Sequence, residues 1–382
     1  MKKYSNELVV GLDVSDKKSE VCIMQKVDGE VTKRESIKTE RETFFQYFSK
    51  LETSLIVLEV GTHSPWMSRL IKSLGHEVIV ANARKISLIY GSKRKNDKAD
   101  AEKLARLARV DRTLLHPVEH RDEQKQADIN VIRSRAVLLK TRQQLINSVR
   151  ARLKSFGIKP PQVYPAGFHK KVVAFIPETL KVALLPIIEI LKGIHSQIKG
   201  LDKEIAKLAE QRYPETGLLT QVSGVGQLIA LTYVLTLGDP KKFKKSRSVG
   251  PYLGLAPGQD QSGNHDPKQS ITKEGDPYLR SLLVQSANYI LGHFGPDCDL
   301  RRFAFDRLQH QKEDLKKKGK DPNKVKVSKQ LKIAVARKLA VLLHHLWISA
   351  EVYDPFFNSP HQNSQDSSLT SEQQDSLPLL VA

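Results

Sequence analysis

The chain has 382 residues, 40% of them hydrophobic, and is long enough to form the cores of two or three domains. Its 62 lysines and arginines exceed its 42 aspartates and glutamates by 20, which is typical of proteins that neutralise phosphates. The two cysteines, Cys22 and Cys298, exclude a disulfide scaffold and a cysteine zinc site and indicate a reducing cytoplasm. No run of about 18 uncharged apolar residues occurs, so we expect no membrane span.

The first 115 residues carry the pattern of an α/β domain. The apolar run SLIVLEV is typical of a buried parallel strand, and Phe44, Phe45 and Phe48 share one face of a helix. The predicted order is strands 8–14, 19–26 and 30–38, helix 40–52, strand 54–60, helix 64–74, strand 76–82 and helix 97–109. The first three strands follow one another closely, which predicts an antiparallel meander.

Two long heptad patterns follow in residues 116–212. Hydrophobic residues recur at spacings of three and four along 129–153 and again along 187–208. Prolines at 160, 161 and 165 separate the two patterns, which predicts an antiparallel pair of coiled-coil helices. The pattern suits an intramolecular pair and a dimerising coiled coil equally well.

The rest of the chain reads as three further regions. Residues 213–295 predict a compact, mostly helical unit, and residues 296–356 predict a helical and strongly basic extension. Residues 357–382 are rich in Ser, Gln, Asn and Pro, a composition that predicts a disordered tail.

Acidic residues stand inside two apolar strands, where an unpaired carboxylate is costly. Asp13 lies in LVVGLDV and Glu59 near the end of SLIVLEV, while Asp97 and Asp100 share one face at the start of a helix. Four converging carboxylates would raise one another's pKa values unless cations were present. The chemistry they indicate is phosphoryl transfer with two Mg²⁺ or Mn²⁺ ions about 3.5–4 Å apart. Taken singly, Asp13 also fits a turn and Asp97 a helix N-cap.

A glycine pair, Gly224 and Gly226, precedes a predicted helix and resembles a helix-hairpin-helix element, whose amides would hold a phosphate. Tight helix packing explains the same glycines equally well. Phosphate contact is favoured by the cations that follow, which include Lys241, Lys244, Lys245 and Arg247.

The loop at 254–280 could carry a serine nucleophile. Ser262 precedes a glycine in a polar stretch, and a serine that attacks a phosphodiester needs exposure, a mobile backbone and nearby cations. Spacing alone does not choose Ser262 over Ser270. The cations flanking the loop are Lys268, Lys273 and Arg280.

The densest basic run lies at 301–338, where few acids offset the charge. A solvated helical face would explain such a run, but the imbalance favours contact with a nucleic-acid backbone. Its centre is Lys316, Lys317 and Lys318.

Together these segments resemble one family, the insertion-sequence transposases with an N-terminal RuvC-like DEDD domain and a C-terminal serine domain, the bridge-RNA-guided recombinases. The resemblance lies in GLDVSDKKSEVCI, in LEVGTHSPWMSRLIKSLGHEVIVAN, in KRKNDKADAEKLARL and in GVGQLIALTYVLTLGDPKKFKKSRSVGPYLGLAPGQDQSG with ITKEGDPYLRSLLVQSA. It covers roughly residues 8–295. It implies a RuvC/RNase H-like fold for residues 1–115 and a transposase serine domain at 213–295.

The resemblance also implies the chemistry. Asp13, Glu59, Asp97 and Asp100 would bind metal, and Ser262 would be the covalent nucleophile. The partners would be donor and target DNA, a structured guide RNA encoded by the element, and further copies of the chain in a dimer or tetramer, in the bacterial cytoplasm at the nucleoid.

Three alternatives stay open beside this reading. A RuvC-like nuclease without a serine step shares the acids, and a non-catalytic nucleic-acid-binding protein shares the charge. Sugar kinases and actin-like ATPases share the opening strand and aspartate, but their later phosphate and adenosine motifs are absent from the sequence.

Overall fold

The computed structural model describes residues 7–86, 97–261, 267, 269–321 and 326–358, with only the backbone described for residues 97 and 98. The chain divides into two compact units, residues 1–126 and 127–382, and each is described by itself below. No helix in these described ranges is long and apolar enough to cross a membrane.

The first unit is built on a mixed five-stranded sheet. Its strands are β1 (Leu8–Val14), β2 (Lys18–Gln25), β3 (Val31–Lys38), β4 (Leu55–Glu59) and β5 (Glu77–Ala81). They lie in the order β3-β2-β1-β4-β5. The β1–β2 and β2–β3 pairs are antiparallel, whereas β4 is parallel to both β1 and β5. The predicted meander and the predicted order of strands are confirmed, and one short helix at 83–86 was not predicted.

Helices cover both faces of this sheet. They are α1 (Arg41–Ser49), α2 (Ser64–Ser73), α3 (Ala83–Ile86) and α4 (Asp97–Val110). Alternate strand residues point to opposite faces, so the sheet has two cores. Val10, Leu12 and Leu58 pack in the core with α1 and α2, while Val9 and Val57 pack in the core with α4.

The second unit begins within a long helix. Its first elements are α5 (Glu123–Ser155), which starts just before the unit boundary, α6 (Phe168–Lys171) and α7 (Glu178–Gln211). Ile146 and Leu153 near the end of α5 share a core with Leu184 and Leu191 near the start of α7. The start of α5 packs with the end of α7 in a second core, so the two helices run antiparallel, as the prolines between them predicted.

The remaining helices form one core. They are α8 (Thr216–Thr220), α9 (Gln227–Leu237), α10 (Val249–Tyr252), α11 (Pro277–Leu291), α12 (Asp299–Lys317) and α13 (Lys329–Ser349). The fully buried Tyr233 of α9 donates a hydrogen bond to the carbonyl oxygen of Ala340 in α13 at 2.6 Å. Residues from α9, α11, α12 and α13 belong to the same buried cluster. The basic extension predicted at 296–356 is therefore part of the same core as residues 213–295.

Candidate catalytic edge and nucleic-acid interface

Asp13 and Glu59 lie at the same edge of the sheet. The parallel register of β1 and β4 pairs Leu12 with Leu58, and each acid is the next residue along its strand. Asp13 lies four residues after Val9 and Glu59 two residues after Val57, and Val9 and Val57 belong to the core that contains α4, so both acids lie on the face that α4 covers. The carboxyl ends of parallel strands are where open α/β sheets place their ligands.

Helix α4 crosses this face at Gly11, two residues before Asp13. A Cβ atom at Gly11 would lie 1.9 Å from the carbonyl oxygen of Ala101 and 3.0 Å from the backbone nitrogen of Ala105. Only a residue without a side chain permits this approach. The approach brings the first turn of α4, which begins at Asp97 and contains Asp100, to the end of β1 that carries Asp13.

The carboxylate of Asp100 is engaged within its own helix. Its Oδ1 accepts a hydrogen bond from Lys103 Nζ at 2.7 Å, and both side chains are partly exposed. The Asp97 side chain lies outside the described residues. Among the side chains that are described, no group of three or more histidines, cysteines and acids is arranged to hold a metal ion. The topology thus brings three of the four predicted acids to one edge, and their roles stay predictions.

A network of charged side chains fixes α4 on the sheet. Arg34 of β3 and Arg106 of α4 both reach the carboxylate of Glu102, at 2.7 Å each. Hydrogen bonds from Arg34 and Arg106 lower the pKa of Glu102. At the far end of α4, Arg109 donates to the carbonyl oxygens of Lys26 and Val27. The helix is therefore held along its length with its acidic start at the carboxyl edge.

Two other polar residues at this edge were not predicted from the sequence. Glu20 of β2 pairs with Asp13 in the antiparallel register, and the period of two in β2 could have revealed it. His63, four residues after Glu59, contacts Asp16 Oδ1 at 3.0 Å through Nε2. No local pattern predicts that contact, because its two residues come from turns that only the sheet brings together.

The two ends of the serine loop, residues 254–258 and 270–275, pack closely against each other; we call them the two arms of its neck. Gly258 N–H donates to the Ser270 carbonyl and Thr272 N–H donates to the Ala256 carbonyl, so the two arms are paired by backbone hydrogen bonds. Gly254 and Gly275 have positive φ, and a Cβ at either would lie within 2.3 Å of a backbone oxygen on the other arm. Ser262 and Lys268 lie outside the described residues.

The other predicted cation sites of this unit differ in their surroundings. Arg280 Nη1 donates to the carbonyl oxygens of Leu253 and Glu274, so this arginine clamps the neck of the serine loop. Lys273 is exposed, with a positive φ of 58°. The lysines at 316–318 are exposed at the end of α12. Nucleic-acid contact by each of them stays a prediction.

The basic segment 240–247 is fastened to α13. The buried His344 contacts Ser246 Oγ at 2.9 Å through Nδ1 and the Pro240 carbonyl at 3.0 Å through Nε2. Because that carbonyl can only accept, Nε2 carries the proton and Nδ1 accepts from the serine. Burial lowers the pKa of His344. The predicted cations of this segment are all exposed: Lys241, Lys244, Lys245 and Arg247.

The two glycines before α9 have different environments. A Cβ at Gly224, where φ is +85°, would lie 2.9 Å from the ring of Tyr289, so close packing on α11 requires this glycine. A Cβ at Gly226, the N-cap of α9, would meet nothing within 4 Å. Packing thus accounts for one glycine, and the helix-hairpin-helix interpretation stays a prediction.

A mixed sheet with acids at adjacent parallel strand ends, followed by a helical region, is consistent with the RuvC-like DEDD fold. A family model described as "Transposase", for the DEDD type of IS110, matches residues 10–158. A second, described as "Transposase IS116/IS110/IS902 family", matches residues 216–300. Together these ranges cover more than half of the chain. The chain therefore belongs to the IS110/IS116 family of transposases, which act in DNA transposition.

Curated relatives extend the similarity over most of the chain. A putative transposase, y4pF/y4sB, of Sinorhizobium fredii is 27% identical over 90% of this chain and 85% of its own length. A probable family 20 transposase of Pseudomonas aeruginosa is 26% identical over 74% of this chain and 83% of its own. The transposase of insertion sequence element IS1328 from Yersinia enterocolitica is 27% identical over 74% and 83%, respectively.

Proposed function

We propose that this transposase cleaves and rejoins DNA with metal-binding carboxylates and a serine nucleophile, guided by a structured RNA that its insertion sequence encodes. One observation carries the catalytic part, namely that Asp13, Glu59 and the start of α4 meet at the carboxyl edge of one sheet. The alternative is a metal-dependent nuclease that uses the same acids and no covalent serine step.

The donor chemistry at this edge suits Mg²⁺ or Mn²⁺, which prefer carboxylate oxygens. Asp13, Glu59, Asp97 and Asp100 would hold the two ions, which when bound would stabilise charge on phosphoryl oxygens. The ammonium group of Lys103, at 2.7 Å from Asp100, already occupies one cation position. We expect metal binding to displace it, so Lys103→Gln should raise the metal affinity.

The acids are tested by Asp13→Asn with Asp28→Asn as the matched control. Asp28 lies in the turn after β2, where its Oδ1 accepts from the Glu30 N–H, and an asparagine keeps that bond. Asp13→Asn should abolish recombination and weaken Mn²⁺ binding measured by calorimetry, while nucleic-acid binding stays near wild type. Full recombination in excess EDTA, or equal effects of the two variants, would refute the metal site.

The serine step follows from the energetics of resealing. Water as nucleophile would release the phosphodiester energy, so rejoining would need another energy source. If the Ser262 Oγ attacks phosphorus instead, the bond to the 3′-oxygen breaks and the 3′-hydroxyl leaves with a proton. The phosphoserine ester keeps the bond energy, and the 3′-hydroxyl of the new strand then attacks it and releases the serine.

A trapped protein–DNA adduct distinguishes the two mechanisms. Ser262→Ala should lose the adduct, whereas Ser270→Ala, in the paired arm of the neck, should keep it. An adduct that survives in Ser262→Ala means that another residue is the nucleophile. Cleavage by the wild type with no adduct at any time point favours the nuclease.

The proposed partners are donor and target DNA, the guide RNA and further copies of the chain. Sequencing of RNA that co-purifies with the protein tests the guide, and a pool without any enriched structured RNA would contradict it. Exchange between two duplexes needs at least two active sites, and the α5–α7 pair is the proposed assembly element, as a coiled coil. A monomer in light scattering, with and without nucleic acid, would refute the oligomer.

A further inference from the structure

The charge of α5 and of the connection that joins it to α7 is strongly one-sided. Between Asp128 and Glu178 the sequence contains no aspartate or glutamate at all. The same stretch contains ten lysines and arginines: Arg133, Arg135, Lys140, Arg142, Arg150, Arg152, Lys154, Lys159, Lys170 and Lys171. A stretch of such length without one carboxylate is poorly explained by solvation, which balanced charges would serve as well.

The cations near the base of the hairpin have structural partners. Arg133 pairs with Asp276, the N-cap of α11, and Arg135 pairs with Asp202 of α7. The six cations at residues 150–171, which we call the hairpin end, are different. Within the described residues none of these six lies within 4 Å of a carboxylate. The nearest acids along α7, Glu178 and Glu189, are already paired with Lys181 and Lys192.

The hairpin end is firmly packed rather than loose. Leu153, Phe168 and Val172 are fully buried in one cluster with the start of α7. The guanidinium of Arg150 lies 5.2 Å from the centre of the Phe168 ring, which fixes that arginine at the surface. The prolines of the connection restrict its backbone further. The backbone positions that carry its cations are therefore set before any ligand binds, and Arg150 is held by its ring contact as well.

Aromatic side chains stand exposed among these cations. Tyr164 is 89% exposed and Phe156 is 57% exposed, although both adjoin segments that pack on the buried cluster. A ring exposed on an ordered connection has no role in the core. Exposed rings among cations are the arrangement by which proteins bind single strands, with phosphates on the cations and bases stacked on the rings.

We propose that the hairpin end binds an unpaired stretch of nucleic acid, with its phosphates on the lysines and arginines and a base stacked on Tyr164. A duplex is disfavoured because its bases are not available for stacking. The proposal deepens the proposed function, since it assigns a surface to a single-stranded partner, but it uses neither the acids nor Ser262.

The test measures binding of the full chain to a labelled oligo(U), an oligo(dT) and a duplex, each of roughly 15 nucleotides or base pairs, by fluorescence anisotropy over a salt series. Tyr164→Ala should weaken binding of the single strands by about 5- to 150-fold, and Tyr164→Phe should bind like wild type. The wild type, Tyr164→Ala and Tyr164→Phe should all bind the duplex with the same affinity. The ratio of oligo(U) to oligo(dT) affinity then tells whether RNA or DNA is the preferred strand.

A charge-matched pair of variants tests the phosphate contacts. Lys154→Gln with Lys159→Gln should flatten the slope of log affinity against log salt by about 1.4 for single strands. Lys181→Gln with Lys192→Gln removes the same charge from ion-paired positions on the same hairpin and should leave the slope unchanged. Equal slopes in the two double variants, or an equal loss of duplex and single-strand binding in Tyr164→Ala, would overturn the proposal.

Failure of this proposal is distinguishable from failure of the proposed function. Asp13→Asn and Ser262→Ala should bind the single strands like wild type, because neither residue belongs to the hairpin end. If both variants recombine DNA normally, the catalytic proposal falls while the binding result stands. If Tyr164→Ala binds single strands normally while Asp13→Asn and Ser262→Ala fail to recombine DNA, the binding proposal falls and the catalytic proposal stands.

Discussion

Replacing Gly11 with alanine tests whether the close approach of α4 builds the catalytic edge. The added Cβ would lie 1.9 Å from the Ala101 carbonyl oxygen, 2.9 Å from its carbon and 3.0 Å from the Ala105 nitrogen. A carbon–oxygen contact is normally about 3.3 Å or more, so the shortfall is about 1.4 Å. All three atoms belong to the backbone and no side chain can rotate away. The helix must therefore retreat as a body.

Two consequences of Gly11→Ala have a predictable size. Overpacking of this kind costs about 1–3 kcal/mol, which corresponds to a fall of about 4–12 °C in the unfolding midpoint of a unit of this size. The retreat also separates the start of α4 from Asp13, and a misplacement of about 1 Å lowers catalysis about 10²-fold. At the assay temperature only a small fraction of the variant should be unfolded. Recombination should therefore fall much further than this loss of folded protein can explain.

The assays are calorimetric unfolding and recombination at a temperature where the variant is folded. The control is Gly61→Ala at the same edge, because a Cβ there meets nothing within 4 Å. It should lose little stability. The reasoning would be refuted if Gly11→Ala unfolded within a degree or so of wild type and recombined normally, because α4 would then not need this contact.

Three further predictions concern stability and binding. Asp128→Asn should destabilise the second unit by about 1–3 kcal/mol in denaturant unfolding, because the buried carboxylate accepts from Arg212 at 2.6 Å, whereas the exposed Asp202→Asn should cost less than about 1 kcal/mol. The lowered pKa of Glu102 adds stability that is complete above about pH 4.3 and is lost as pH falls through the folded-state pKa, so wild-type stability should drop more steeply than that of Glu102→Gln between about pH 5 and pH 3. Neutralising the three lysines at 316–318 should flatten the salt slope of duplex binding by up to about 2.7, and an unchanged slope would mean that they contact no phosphate.

Local patterns along the chain predicted the elements, and the motifs together indicated the family. A period of two and heptad spacing are local properties, so strands, helices and the position of the α5–α7 turn followed from them. Asp13 and Glu59 were recognisable because a carboxylate is out of place in an apolar strand. Asp97 and Asp100 were recognisable by their spacing, and the resemblance joined the four into one motif.

Which of these residues come together depends on contacts between segments that are distant in the chain. The register that places Asp13 beside Glu59 depends on pairing between strands more than 40 residues apart, and no local pattern encodes it. No sequence pattern distinguishes Gly11 from other glycines in strands, and the need for a residue without a side chain there follows only from its contact with α4. Arg280 reads as a phosphate contact in the sequence, yet in the structure it also clamps a loop neck. The physical reason is that a residue's type limits what it can bind, whereas long-range packing determines the partner that comes within its reach.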